Sequence, residues 1–206
     1  MTSRVILQWP DKKLLARAKD VEAYDESVLK LAQDLYHTMI TSYGAGLAAT
    51  QIGSDMSVCV IDNSYVPSLN PEKLLESNCV VLVNPKINNL EEEIFEWEEG
   101  CLSVPDLKAK VKRHNKIELK YRDLSGEAYT RVLQGIESAT VQHEVDHLFG
   151  RLFIHRLSGF SRARALKKLS KKLKLQRREE ATSPKIGRPK RKRPKRRKNF
   201  GKHKKK

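Results

Sequence analysis

The 206 residues carry 41 Lys/Arg against 25 Asp/Glu, a net charge of +16. This is length enough for one domain with a sizeable core plus an extension. The charge is uneven: residues 181–206 hold 14 Lys/Arg and no acid, leaving 27 basic and 25 acidic side chains in residues 1–180. No apolar run nears the ~20 residues of a membrane span, and Val5-Ile6-Leu7 is too short for a signal-peptide core. Cys59, Cys79 and Cys101 are few, odd in number and scattered, which excludes a disulfide scaffold and points to a reducing, cytoplasmic setting.

In chain order, Val28, Leu31, Leu35 and Met39 repeat at helical spacing and predict an amphipathic helix over 25–40, with Lys30, Gln33, Asp34 and His37 on its polar faces. Residues 43–53, Tyr-Gly-Ala-Gly-Leu-Ala-Ala-Thr-Gln-Ile-Gly, place two glycines two apart before small residues and an amide. Glycines so placed permit a tight bend or close approach of a ligand, but the stretch lacks the third glycine or Lys-Ser/Thr of a nucleotide loop. Residues 56–62 predict a buried strand, 63–78 a loop, and 79–83 a second strand closed by Asn84-Pro85. Cys59 and Cys79 read as core residues within those strands.

Six glutamates crowd residues 91–99, and Cys101 follows Glu99-Gly100 at a bend rather than inside an apolar run. Residues 117–122 alternate, Asp123-Leu124-Ser125-Gly126 turns, and 127–133 returns, predicting a β-hairpin. His114, among basic residues, reads as solvated. Residues 135–149 then predict a helix ended by Gly150, with Ile136, Ala139, Thr140, His143, His147 and Leu148 on or near one face. On it, Gln142-His143-Glu144-Val145-Asp146-His147 contains H-E-x-x-H. Residues four apart stack on one helical side, so His143 and His147 can hold one ion, with Glu144 beside a water. Cys101 can supply the third ligand and leave a position for water, the arrangement of a catalytic site. Residues 152–154 predict a short strand. Ala163, Leu166, Leu169 and Leu173 predict a basic amphipathic helix over 161–178. Beyond 180 the chain is Pro/Lys/Arg-rich, a composition that predicts disorder.

Three separated stretches, Gly44-Ala45-Gly46-Leu47-Ala48-Ala49-Thr50-Gln51, Glu99-Gly100-Cys101-Leu102-Ser103 and Gln142 to His147, together resemble in content and order the signature motifs of the peptide deformylases. The resemblance covers roughly residues 4–160. It implies an α+β fold, antiparallel β-sheets packed around a central metal-binding helix, and removal of the formyl group from formyl-methionyl nascent peptides. Carried over position by position, it makes Cys101, His143 and His147 the metal ligands and Glu144 the proton carrier. The Gln51 side chain and the Leu102 backbone N–H become donors to the oxyanion. Gly44, Ala45 and Gly46 become backbone partners of the peptide, and Ala139 and Thr140 part of the methionine pocket. Lys108 stands where the family often has arginine.

The ligand types admit zinc, iron, cobalt or nickel; the resemblance implies ferrous iron, Fe2+. The expected organisation is a catalytic domain over 1–160, a basic helix over 161–180 and a polybasic tail over 181–206, in a monomer. The tail is expected to dock on ribosomal RNA. The competing readings are a zinc endopeptidase, which leaves Cys101 and Gln51 without a purpose, and a non-catalytic RNA-binding protein, which predicts a missing catalytic residue where none is missing.

Overall fold

The computed structural model describes residues 3–69 and 78–182. Its elements are α1 (Glu26–Thr41), β1 (Gly46–Ala48), β2 (Val58–Asp62), β3 (Cys79–Asn89), β4 (Ile94–Cys101), β5 (Val104–His114), β6 (Lys116–Arg122), β7 (Ala128–Gln134), α2 (Gly135–Leu148) and α3 (Gly159–Thr182). One sheet has the order β1-β2-β3-β6-β7, and β4 and β5 form a separate two-stranded ribbon. All strand pairings within these sheets are antiparallel, in agreement with the expected α+β class. Among the described residues no helix is long and apolar enough to cross a membrane.

Strand alternation explains how the sheet is covered. Val58 and Val60 of β2, with Val81 and Val83 of β3, pack with Val28, Ala32, Leu35 and Met39 of α1. Their neighbours Cys59, Ile61, Val80 and Leu82 pack with Val141, Val145 and Leu148 of α2. Side chains two apart share a face, so a stretch of strand covered on both faces must be apolar at every position, as Val58 to Ile61 of β2 are. Both cysteines are core residues, 0% exposed. Asp25 caps α1, its carboxylate accepting from Ser27 N–H.

Several expectations change. Strand β3 does not end at Asn84-Pro85. The register shifts there, Asn84 takes φ 52, and pairing with β6 resumes at Lys86. Proline cannot donate to the ladder, but a bulge absorbs the loss, and Asn84 exchanges two hydrogen bonds with the Val21 backbone. Residues 152–154 belong to no strand; Phe153–His155 is a 3-10 turn, with His155 Nδ1 accepting from Leu152 N–H. Asp34 is not on a polar face. It is buried on α1 and held by Arg4, whose Nε lies 2.9 Å from its Oδ2. His114 is half-buried, and its backbone bonds Gln142 and Ser138. Helix α2 is buried on most sides rather than along one stripe. On α3, Ala165 and Leu169 are buried, whereas Ala163 is exposed. The polybasic stretch 183–206 lies outside the described residues.

Candidate metal centre

Three elements bring the predicted residues together. Helix α2 carries His143, Glu144 and His147, the β4–β5 turn carries Cys101 and Leu102, and the segment after β1 carries Gln51. One ligand atom each from Cys101, His143 and His147 lies within 4.8 Å of the others. Cys101 Sγ is 3.3 Å from His147 Nε2.

The turn is tight because Cys101 pairs with Val104 across only two residues. Burial alone would push the Cys101 thiol up; the charge of His147 and hydrogen bonding with both imidazoles outweigh it and bring the thiol down to about 5. For His143 burial acts downward, but hydrogen bonds to Cys101 and Glu99 prevail and raise it. The two shifts have one origin, the close approach of the thiol and the imidazoles. A divalent ion can bind there in place of protons, since ligands must be deprotonated to bind.

Glu144 is 5% exposed, and its Oε2 has no protein partner among the described residues. Burial raises its pKa, against the opposing charges of His143 and His147, which moves a carboxyl towards the range of a neutral-pH base. Gly46 makes room for it: a Cβ there would meet Glu144 Oε1 at 2.6 Å, Cδ at 2.7 Å and Cγ at 2.9 Å. Gly44 has a parallel constraint, since a Cβ would meet Leu102 Cδ1 at 2.8 Å. The two glycines of the first motif therefore clear space for residues of the other two.

Gln51 is buried and oriented. Its Oε1 accepts from Ala48 N–H at 2.8 Å, so its amide NH2 faces Ser103 Oγ at 3.1 Å and Cys101 Sγ at 3.7 Å. Thr50 Oγ1 donates to the His147 carbonyl at 3.0 Å, tying this segment to α2. Ala45 accepts from Asp62 N–H, and Gly44 N–H donates to Met39 at the end of α1. By antiparallel alternation, the N–H and C=O of Gly46 point to the open edge of the sheet. Ala139 is buried on α2, and Thr140 is half-buried with its hydroxyl on the Ile136 carbonyl.

The donor set of one thiolate and two imidazoles, half-buried at two positions and buried at the third, fits a four-coordinate transition ion with one position left to water. A family model described as polypeptide deformylase matches residues 3–163. The chain belongs to the peptide deformylase family. A peptide deformylase of Cellvibrio japonicus is 40% identical over 169 residues, covering 82% of this chain and 95% of its own length. One from Pseudomonas aeruginosa is 39% identical over 166 residues, covering 81% and 94%. The crystal structure of a peptide deformylase from Legionella pneumophila matches with TM-score 0.73 and 38% identity, covering 86% of this chain and 99% of that one.

Sequence reasoning assigned no part to four residues around the centre of this deformylase. Glu99 Oε2 accepts from His143 Nδ1 at 2.7 Å, and Arg113 Nε and Nη2 bond the same carboxylate. Burial pushes Glu99 up, but the hydrogen bonds from His143 and Arg113 outweigh it and hold it at about 2. An ionised acceptor keeps the proton on Nδ1 and turns Nε2 towards the ligand cluster. Arg113 also reaches Asp146, which Arg156 holds as well. Glu99 and Asp146 sit inside the quoted motifs and were readable there as letters without a part. Arg113, one cation in the run Lys110-Val111-Lys112-Arg113, carries no distinguishing signal.

Proposed function

We propose that this peptide deformylase removes the N-formyl group of formyl-methionyl peptides with Cys101, His143 and His147 as ligands of one divalent ion, Fe2+ in the resident form. The supporting observation is the convergence of that thiol and two imidazoles beside the buried, partly unpartnered carboxylate of Glu144. Such an ion, when bound, acidifies a water molecule and polarises a carbonyl oxygen.

Glu144 takes the proton from the attacking water and passes it to the departing amine, a service of order 10²–10⁴-fold. The formyl hydrogen leaves with its carbon as formate. The Gln51 amide, held by Ala48, and the Leu102 backbone N–H face the carbonyl oxygen as negative charge builds there; loss of one such donor costs about 3–4 kcal/mol. The backbone of Gly44, Ala45 and Gly46 pairs with the extended peptide, and Ala139 and Thr140 form part of the wall against the methionine side chain. A thiolate ligand suits a reducing compartment, the cytoplasm.

Formate release from formyl-Met peptides by anaerobically purified protein, with elemental analysis of the same sample, tests this reading. Formate release in proportion to iron supports it. Cleavage of internal peptide bonds without formate release would replace it with the endopeptidase reading.

We further propose a monomer organised as a catalytic domain over 1–160, a basic helix over 161–180 and a ribosome-docking tail over 181–206. The concentration of 14 Lys/Arg past residue 180 supports this, because neutralising RNA phosphates releases counterions. Truncation after residue 180 should spare turnover of a short formyl-peptide and abolish co-sedimentation with ribosomes. Unchanged co-sedimentation would remove the docking proposal.

A further inference from the structure

A continuous train of side chains leads from the centre to the surface. His143 Nδ1 donates to Glu99 Oε2 at 2.7 Å. Arg113 grips that carboxylate through Nε at 2.6 Å and Nη2 at 2.9 Å, and its Nη1 reaches Asp146 Oδ2 at 2.6 Å. Arg156 closes the far end, with Nε 3.0 Å from Asp146 Oδ2 and Nη2 2.5 Å from Oδ1. The Arg113 and Asp146 side chains are 1% and 6% exposed, but that of Arg156 is 41% exposed.

The train contains two carboxylates and two guanidiniums. Arg113 alone is one cation for two buried anions, and breaking a buried ion network by removing one partner leaves an uncompensated charge. Arg156 supplies the second cation through a two-point fork, a geometry that lysine cannot copy. It is not needed to anchor its own turn. Phe153, Ile154 and Leu157 are buried there, and the backbone N–H of Arg156 donates to Phe153. Without this side chain Asp146 keeps its bond to Arg113, and water can enter where the 41% exposed Arg156 side chain stood, so the charge left behind is partly compensated. Loss of this side chain should therefore register at the centre more than in global stability.

We propose that Arg156 is a positioning residue for His143, holding the imidazole in its ligand orientation through Asp146, Arg113 and Glu99. The inference rests on the reading of Cys101, His143 and His147 as metal ligands. It adds that the aim of one ligand is set from the protein surface, ten residues past Asp146 and just before α3 begins.

The test uses full-length protein loaded with cobalt(II), with variants Arg156→Gln and Arg156→Lys. The readouts are the cobalt dissociation constant from chelator competition, the visible ligand-field spectrum and the Tm of the metal-free proteins. Arg156→Gln should weaken cobalt binding about 10-fold, the lower end of the range for partners that orient metal ligands. It should also shift the ligand-field bands and leave the metal-free Tm nearly unchanged. Arg156→Lys, which restores charge but not the fork, should fall between. Wild-type affinity and spectrum in Arg156→Gln would overturn the proposal, as would losses of affinity that merely follow losses of Tm in both variants. Failure of the unaltered protein to bind cobalt would overturn the metal reading along with it.

Discussion

Helices α2 and α3 solve opposite problems. Helix α2 is enclosed: Ser138, Gln142, Glu144, Asp146 and His147 are buried polar residues on 14 residues of helix. Buried polar groups must be paired or they cost free energy, so most of them have named partners. Gln142 bonds Ser138 and His114, and Asp146 bonds two arginines. Among the described residues two side-chain atoms of α2 are left over: Glu144 Oε2, on the carboxylate beside the ligands, and His147 Nδ1, on the ring edge away from the Nε2 that faces Cys101. Helix α3 buries Ala165 and Leu169 and turns lysines and arginines outward, where solvent satisfies them. On α2 a single atom can be decisive; on α3 the number of charges matters more than their identity.

The contrast predicts a graded series of effects. The largest should follow removal of the ion. Chelation or Cys101→Ala should abolish formate release and deplete bound metal, with far-UV circular dichroism retained; full activity in a metal-free sample would break the account. Glu144→Gln should lower kcat by about 10²–10⁴-fold with metal content kept, as elemental analysis and steady-state kinetics would show.

Gly46→Ala should come next. Its methyl group overlaps Glu144, and misplacing a catalytic group by about 1 Å can cost about 10²-fold. Here kcat should fall with metal content unchanged, so wild-type kcat would show that the Glu144 contact is unimportant. A thiol reagent near neutral pH should label Cys101 in metal-free protein and spare it when metal is bound. Cys59 and Cys79 should stay unlabelled, being buried, with the Cys79 thiol pushed up by burial to about 12. Mass spectrometry would locate the label.

The smallest effect on catalysis should come from α3. Replacing Lys167, Lys168 and Lys171 by Gln should leave turnover of a short formyl-peptide within about 2-fold, since all three are exposed and exposed substitutions usually change little. Its polyanion affinity should fall and depend less on salt. A large loss of kcat would show that these charges serve the chemistry, contrary to the comparison.

The chain itself determined a good part of this. Apolar spacing located α1, the period-two hairpin of β6 and β7, and a strand at β2 that is apolar on both faces. Helical geometry alone stacked His143 over His147, because residues four apart share a side whatever surrounds them. Local patterns could not report what depends on distant partners. Leu107, Ala109 and Val111 of β5 do alternate with lysines, but the pairing that sets Glu96 and Glu98 of β4 opposite Lys112 and Lys110 is a matter of register, and the bulge at Asn84 depends on Val21. Only the tertiary structure decided that Gly46 clears space for Glu144, that Gln51 is turned by Ala48, and that Arg113 joins Glu99 to Asp146. These contacts join residues brought close by packing, and a buried charge is specified by its neighbours in space rather than by its neighbours in the chain.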